Sequence, residues 1–372
     1  MNLNITRKQM AVDAAIGKLA SQVAHDVRSP LAALSVVEKD LNQLPEGARI
    51  LVRSAISRIQ DIAHSLISSK HQRNLSARIE SKLVVEPCLL ASIIESITSE
   101  KRIEYRSRIG LQIISELERE TYGSFAEIEV VAMRSILSNL INNAVEAIEN
   151  DGKVRVCLLR IEGKICIVVS DTGKGIPANI LPSLGTRGTS YGKELGLGLG
   201  LAHAKECCAR WNGSLEISSI QGSGTLVTIS LPMIAPPLWF TPLIEITENS
   251  NIVILDDDTS IHHIWSSRVE GVNSSFKGNV YHLSSTSQLR QFVVSTAAET
   301  NSVFLLDYEL VGSDQDGLDI AEELNITTSS FLVTSRYEDK DIISRLEKLE
   351  MKMIPKFQAG FVPLKFLRSR ST

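Results

Sequence analysis

The residues with chemistry to offer fall into three groups, and the first is the stretch VAHDVRSPLAAL at 23–34. Leu19, Val23, Val27, Leu31, Leu34, Val37, Leu41 and Leu44 recur every three or four residues, which predicts one buried helical face. His25 stands two residues from both Val23 and Val27, so a turn of about 100° per residue sends it to the opposite, solvent side. Pro30 cannot donate to the Asp26 carbonyl four residues back and pushes it aside, kinking the helix beside His25–Asp26 at a cost of about 3 kcal/mol or more. An exposed imidazole next to a carboxylate and a loosened turn invites a functional reading. A solvated surface histidine is the plainer reading of the same residues.

The second group begins with ILSNLINNAVEAI, 136–148, which separates into two faces. Leu137, Leu140, Ile141, Ala144 and Ile148 form one, and Asn139, Asn142, Asn143 and Glu146 the other. Asparagine is a middling helix former, and its amide oxygen can ligate a hard cation such as Mg2+ that also holds phosphates; a capped or solvated polar face is the alternative. VVSDTGKGIP, 168–177, then places Asp171 at a strand end before Gly173 and Gly175, which let a backbone approach a ligand closely. GLGLGLAHAK, 196–205, sets Gly196, Gly198 and Gly200 ahead of a helix, whose N-terminal amides suit phosphate. It is not a dinucleotide fingerprint, because the third glycine comes two residues after the second.

The third group lies at the ends of short apolar runs beyond residue 250. NIVILDDD ends in Asp256, Asp257 and Asp258, VFLLD in Asp307, FLVT in Thr334, and MKMIPK in Lys356. In a parallel sheet the carboxyl ends of strands converge on one edge. Acids, a hydroxyl and a lysine gathered there make a Mg2+ and phosphoryl site, since Mg2+ prefers a carboxylate pair with waters and phosphate oxygens. Any one of these acids taken alone reads as solvated.

Composition is consistent with such chemistry in an ordinary globular protein. The chain has 372 residues, 43% hydrophobic and 22% charged, with a net charge of −4, which leaves no basic excess for nucleic acid. Its length calls for two or three domains. The five cysteines form no CxxC pair and no disulfide framework. No run reaches the length of a membrane span, and residues 1–20 lack the apolar core of a signal peptide, so a cytoplasmic protein is expected.

The elements that must position these residues follow from periodicity. Residues 8–44 and 50–72, joined by LPEGAR, predict a helical hairpin that buries its stripes by pairing with a second copy into a four-helix bundle, hence a homodimer. From about 80 to 232, β-like runs alternate with helical stretches, predicting helices over one face of a mainly antiparallel sheet. PMIAPPLWFTP, 232–242, reads as a linker, and DQDGLD, 314–319, as a loop. From 250 onward, strands and helices alternate as in a doubly wound parallel sheet.

HDVRSPL, NLINNA, DTGKGI and GLGLGL resemble, in order and spacing, the H, N, G1 and G2 boxes of sensor histidine kinases, and GSLEISSIQGSGTLVTISLP resembles that family's closing strand pair. Residues 250–372 resemble the receiver domain of response regulators. Together these imply a hybrid histidine kinase with three domains: a phosphotransfer and dimerisation hairpin over 1–75, a Bergerat-type (GHKL) two-layer α/β ATP-binding domain over 76–232, and, after a linker at 233–249, a receiver over 250–372. The resemblance makes His25 the phosphoacceptor and Asp26 the acid that activates it. Asn139 and Asn143 would hold Mg2+ and triphosphate, with Asn143 as a metal ligand, and Asp171 would read the adenine amino group. Gly173, Gly175, Gly196, Gly198 and Gly200 would shape the pocket and lid. In the receiver, Asp307 becomes the acceptor, Asp256 and Asp257 join it on the metal, Thr334 is the switch hydroxyl and Lys356 the partner of the phosphoryl group. ATP and Mg2+ are the implied cofactors. A response regulator or histidine phosphotransfer protein is the implied partner.

Several positions depart from these patterns. Asn139 stands where ATP-hydrolysing relatives of the superfamily place a Glu, which favours phosphotransfer over hydrolysis. The stretch ILPSLGTRGTSYGKE lacks a phenylalanine-rich box, Ser29 stands where bifunctional relatives carry Thr or Asn, Met353 replaces the aromatic switch, and Pro355 precedes Lys356 instead of following it. An ATP-gated dimeric scaffold with the receiver as a phosphate sink, and an ATPase of the same nucleotide fold, are the rival readings.

Overall fold

The computed structural model describes residues 85–184, 199–271, 276–296 and 301–368, with Val52 alone ahead of them. The hairpin expected over 1–75, with His25 and Asp26, lies outside the described residues, as do Gly196 and Gly198. The described residues other than Val52 and those at 311–313 belong to one compact unit.

The first layer of this unit is a five-stranded sheet under three helices. Its strands are β2 (Leu111–Leu117), β4 (Gly152–Ile161), β5 (Lys164–Asp171), β6 (Ser214–Ile220) and β7 (Gly224–Pro232), in the order β2-β4-β5-β7-β6. Only the β2–β4 pair is parallel, so the sheet is mainly antiparallel. Along β4, buried Val154, Val156 and Leu158 alternate with exposed Arg155 and half-buried Cys157, the period-two pattern of a sheet with one packed face. That face meets α1 (Leu90–Glu104), α2 (Val130–Ala147) and α3 (Leu199–Arg210) in one apolar core. A separate antiparallel pair, β1 (Glu86–Leu89) with β3 (Phe125–Ile128), lies just before α1 and α2.

The second layer is parallel throughout. Strands β9 (Asn251–Leu255), β10 (Val280–Leu283), β11 (Ser302–Asp307), β12 (Ser330–Thr334) and β13 (Lys352–Pro355) run in the order β10-β9-β11-β12-β13, or 2-1-3-4-5 in sequence terms. The intervening helices are α4 (Thr259–Glu270), α5 (Thr286–Thr296), α6 (Gly317–Glu323) and α7 (Lys340–Lys348). Strand residues split between two cores. Val253, Leu255, Leu306 and Leu332 pack with α5, α6 and α7, whereas Ile252, Ile254, Leu305 and Val333 pack with α4.

Two sequence expectations are corrected here. DQDGLD is not a loop throughout: Asp316 is the N-cap of α6, its side chain accepting from the Leu318 and Asp319 amides while the Asp319 side chain accepts from the Asp316 amide. Residues 233–249 are not a passive linker. Ile234 bridges Phe125, Phe240 bridges Met353, and Ile244–Thr247 form β8, paired in parallel with β14 (Leu364–Leu367). The Met353 amide donates to the Trp239 carbonyl at 2.7 Å, and the Thr241 amide to the Met353 carbonyl at 3.0 Å. The segment therefore covers the otherwise free edge of β13.

Phe240 is the anchor of that segment. It is 1% exposed, with ring centroids 5.1 Å from both Tyr122 and Phe125, and it shares a core with Ile252, Ile254 and Trp265 of the second layer. We expect Phe240→Ala to lose about 3–5 kcal/mol in urea denaturation, with both layers melting earlier in a single transition. A loss below about 1 kcal/mol, the scale of an exposed position, would mean that the segment is a free tether.

Candidate functional site

The parallel sheet gathers five chain-distant groups at its carboxyl edge. Asp307 and Thr334 are the last residues of β11 and β12, Asp256 and Asp257 follow β9, and Lys356 follows β13. The Lys356 ammonium donates to Asp256 Oδ1 at 3.0 Å and to Asp307 Oδ2 at 2.9 Å. These three side chains and Thr334 are all buried. One oxygen each from Asp256, Asp257 and Asp307 falls within a 4.8 Å cluster. Asp257 Oδ1 is buried without a hydrogen-bond partner.

Three carboxylates thus face one ammonium, and uncompensated buried charge is costly. A hard divalent cation with oxygen ligands fits this donor set and would use the orphaned Asp257 oxygen. Asp258 has a different job. Burial pushes its pKa up, but the Ser260 amide and the nearby Lys356 and His262 hold it below the ordinary carboxylate range, and it caps α4 through a 2.8 Å bond from that amide. Thr334 Oγ1 accepts from the Arg336 amide at 3.0 Å.

The other candidate group surrounds α2. Leu137, Leu140, Ile141, Ala144 and Ile148 are buried, while Asn139, Asn143 and Glu146 are exposed and Asn142 is half-buried. Two residues missed in the sequence hold this helix in place. The Tyr105 hydroxyl donates to Asn142 Oδ1 at 3.2 Å, and the Arg108 guanidinium donates to the Val145 and Ile148 carbonyls, closing the helix C-terminus. Both lie on the short connection after α1, 37 to 40 residues along the chain from the groups they bond. Arg210 at the end of α3 pairs with Glu129, the N-cap residue of α2, at 3.0 Å.

The glycine motifs meet this helix from two sides. A methyl group on Gly200 would lie 3.8 Å from Asn139 Nδ2, so the first turn of α3 faces the asparagine row. A methyl group on Gly173 would fall 2.5 Å from the Ala147 carbonyl oxygen, and one on Gly175 2.1 Å from that of Ile220. This amends the sequence reading: the neighbour that demands glycine at 173 and 175 is the chain's own backbone, and Gly175 also has φ +63°. The loop is pinned there by bonds from the Lys174 amide to the Ala147 carbonyl (3.0 Å) and from the Gly222 amide to the Lys174 carbonyl (2.8 Å).

Asp171, the last residue of β5, accepts from the Gly173 amide at 2.8 Å. Burial raises its pKa, and the Gly173 and Thr225 amides offset part of the rise. Its acceptor form is therefore lost, on acidification, at a higher pH than for an exposed carboxylate. His25, Asp26, Gly196 and Gly198 are not among the described residues.

Residues 128–235 match the family model for "Histidine kinase-, DNA gyrase B-, and HSP90-like ATPase". This stretch, from the end of β3 through β7, thus carries an ATPase domain of that type. The chain is 27% identical over 220 residues to sporulation kinase A of Bacillus subtilis, covering 58% of this chain and 34% of that protein. It is 28% identical over 237 residues to sensor histidine kinase RppB of Synechocystis, covering 59% and 50%. The mycobacterial sensor histidine kinase MprB structure superposes with a TM-score of 0.35 and 24% identity, covering 41% of this chain and 99% of that one. The chain spans about a third to a half of the length of these curated relatives. Among the described residues, no helix is long and apolar enough to cross a membrane.

The charge balance at the parallel sheet is open to test. Lys356→Ala leaves Asp256 and Asp307 buried without their cation, and we expect a loss of about 3–5 kcal/mol in chelator, partly restored by millimolar Mg2+. Denaturation midpoints with and without Mg2+ measure both terms, and Asp257→Asn should blunt the Mg2+ effect.

Proposed function

We propose that this chain is a hybrid histidine kinase. ATP sits against α2, with Asn139 and Asn143 toward Mg2+ and the phosphates and Asp171 toward the adenine amino group. A neutral His25 ring nitrogen attacks the γ-phosphorus as Asp26 takes the imidazole proton; an N–P bond forms, the bridging P–O bond breaks, and ADP leaves. The phosphoryl group then passes to an Asp307 carboxylate oxygen: the N–P bond breaks, an O–P bond forms, and the imidazole returns to its neutral state by recovering a proton. Lys356 and Thr334 hold the transferred oxygens, and Asp256, Asp257 and Asp307 would hold a Mg2+ ion, which would supply neutralising positive charge. An aspartate on a separate response regulator, or a histidine phosphotransfer protein, is the external partner, and the kinase acts as a homodimer.

The observation that carries this reading is the buried Asp307–Lys356–Asp256 cluster, with bonds of 2.9 and 3.0 Å, in the same chain as an ATPase domain. An amide at Asn139 offers no base for activating water, which favours transfer over hydrolysis.

Incubation with γ-labelled ATP and Mg2+ tests the whole sequence of steps. Acid-labile label should accumulate in Asp307→Ala and vanish in His25→Ala. Label that survives His25→Ala, or steady phosphate release without label, would replace the kinase with an ATPase. Removing the adenine acceptor in Asp171→Ala should weaken ATP binding by about 10- to 100-fold, the worth of a hydrogen bond to a charged group, as read by titration calorimetry.

A further inference from the structure

We infer that His262 and His282 form a two-histidine site for a divalent late transition metal, Cu2+ above all, which clamps helix α4 to strand β10. Neither residue has a role in the phosphoryl chemistry proposed above.

Two elements bring the imidazoles together. His262 and Ser266 stand one helical turn apart on α4 and so share a face. His282 lies on β10 opposite Ile254 of β9, and the Asp256 amide donates to the Leu283 carbonyl at 3.0 Å, which fixes that register beside the helix. Nδ1 of His262 is 3.0 Å from Nδ1 of His282. The ring planes cross at 79° with centroids 5.0 Å apart, so the rings meet at these nitrogens instead of stacking.

The remaining ring nitrogens are engaged, and this decides where the lone pairs point. His262 Nε2 lies 2.8 Å from the Asp256 carbonyl oxygen, which can only accept. Nε2 therefore carries the hydrogen, and Nδ1 of the neutral ring is bare. His282 Nε2 lies 3.1 Å from the Ser266 hydroxyl, which can donate or accept. Without a metal, His282 Nδ1–H donates to His262 Nδ1, and the Ser266 hydroxyl donates to His282 Nε2. With a metal, the His282 hydrogen moves from Nδ1 to Nε2 and donates to Ser266 Oγ, and both Nδ1 lone pairs reach the ion. The number of bound protons is unchanged. His262 then has the backing usual in metal centres, its second N–H held by a backbone carbonyl.

The spacing also selects the ion. With metal–nitrogen bonds of about 2.0–2.1 Å, the 3.0 Å separation sets an angle of about 95° at the metal. That is the near-right angle of a tetragonal site, not the wider one of tetrahedral zinc. Cu2+ and Ni2+ favour tetragonal nitrogen and oxygen sites, and Cu2+ heads the affinity order. Water fills the remaining positions. Asp258, close enough to His262 for the two charges to interact, adds a field that favours a cation. Mg2+ takes oxygen ligands and does not compete here.

Electron paramagnetic resonance of the full chain reads the ligands directly, with less than one equivalent of Cu2+ and excess Mg2+ to occupy the carboxylate cluster. The wild type should give an axial signal whose pulsed modulation reports the remote nitrogens of two imidazoles. His282→Ala should leave at most one, and should weaken Cu2+ binding by at least about 10-fold, the low end of what loss of a backing partner alone costs. His262→Gln should do the same, whereas His203→Ala and His263→Ala should leave signal and affinity unchanged. Circular dichroism checks that each variant is folded. Fewer than two imidazoles in the wild type overturns the site without recourse to any variant. A two-imidazole signal that survives His282→Ala, or one that is lost in His203→Ala or His263→Ala, places the metal on other histidines and overturns it equally.

Discussion

A parallel sheet must be covered on both faces, and that requirement organises this molecule. Three helices, α5, α6 and α7, cover one face of the second sheet, but only α4 covers the other. Among the described residues no α-helix follows β13 to complete the cover. The missing apolar area is supplied from elsewhere: Phe240 from the connecting segment, Tyr122, Phe125 and Leu89 from the first layer, and the β8–β14 pair from the two flanks. The β1–β3 pair and the parallel sheet share one core for this reason, while the mixed sheet keeps its own.

The polar edge depends on the same cover. Asp256 and Asp307 lie buried within bonding distance of the Lys356 ammonium because the parallel strands bring their ends to one edge. Such a buried triad does not stabilise a fold cheaply; an apolar core of equal volume would serve as well or better. With Asp257 it sets three carboxylates around one ammonium, a donor set that suits a hard divalent cation. The first layer keeps its polar groups differently. Asn139 and Asn143 face outward from α2, while Tyr105, Arg108 and the Arg210–Glu129 pair hold the helix that presents them.

What the sequence makes legible is periodic. The two faces of α2 follow from a 3.6-residue rhythm, and the positions of Asp307 and Thr334 at strand ends follow from short apolar runs that stop at a polar residue. What it hides is long-range or brief. Strands β1, β3, β8 and β14 have four residues each, too few for a pattern, and exist through partners far along the chain. α6 has seven residues and is set by an Asp316–Asp319 capping box and by Arg345, which pairs with both acids, so DQDGLD reads as loop until α7 is in place. The glycines at 173 and 175 look like concessions to a ligand, but the crowding that excludes a side chain comes from Ala147 and Ile220.

The way residues 234–241 are used also bears on modularity. The proline-rich stretch looks like the natural place to divide this chain, or to exchange its second half for that of another protein. It is instead the edge cover of β13 and the lid over Tyr122 and Phe125. A fragment ending near Pro232 would carry an uncovered aromatic patch, and a fragment starting near Ile244 would present an open strand edge, both of which promote self-association. In this chain, then, the unit that can be inherited, swapped or expressed alone is larger than either sheet, and its boundaries fall outside the segment that looks most like a seam.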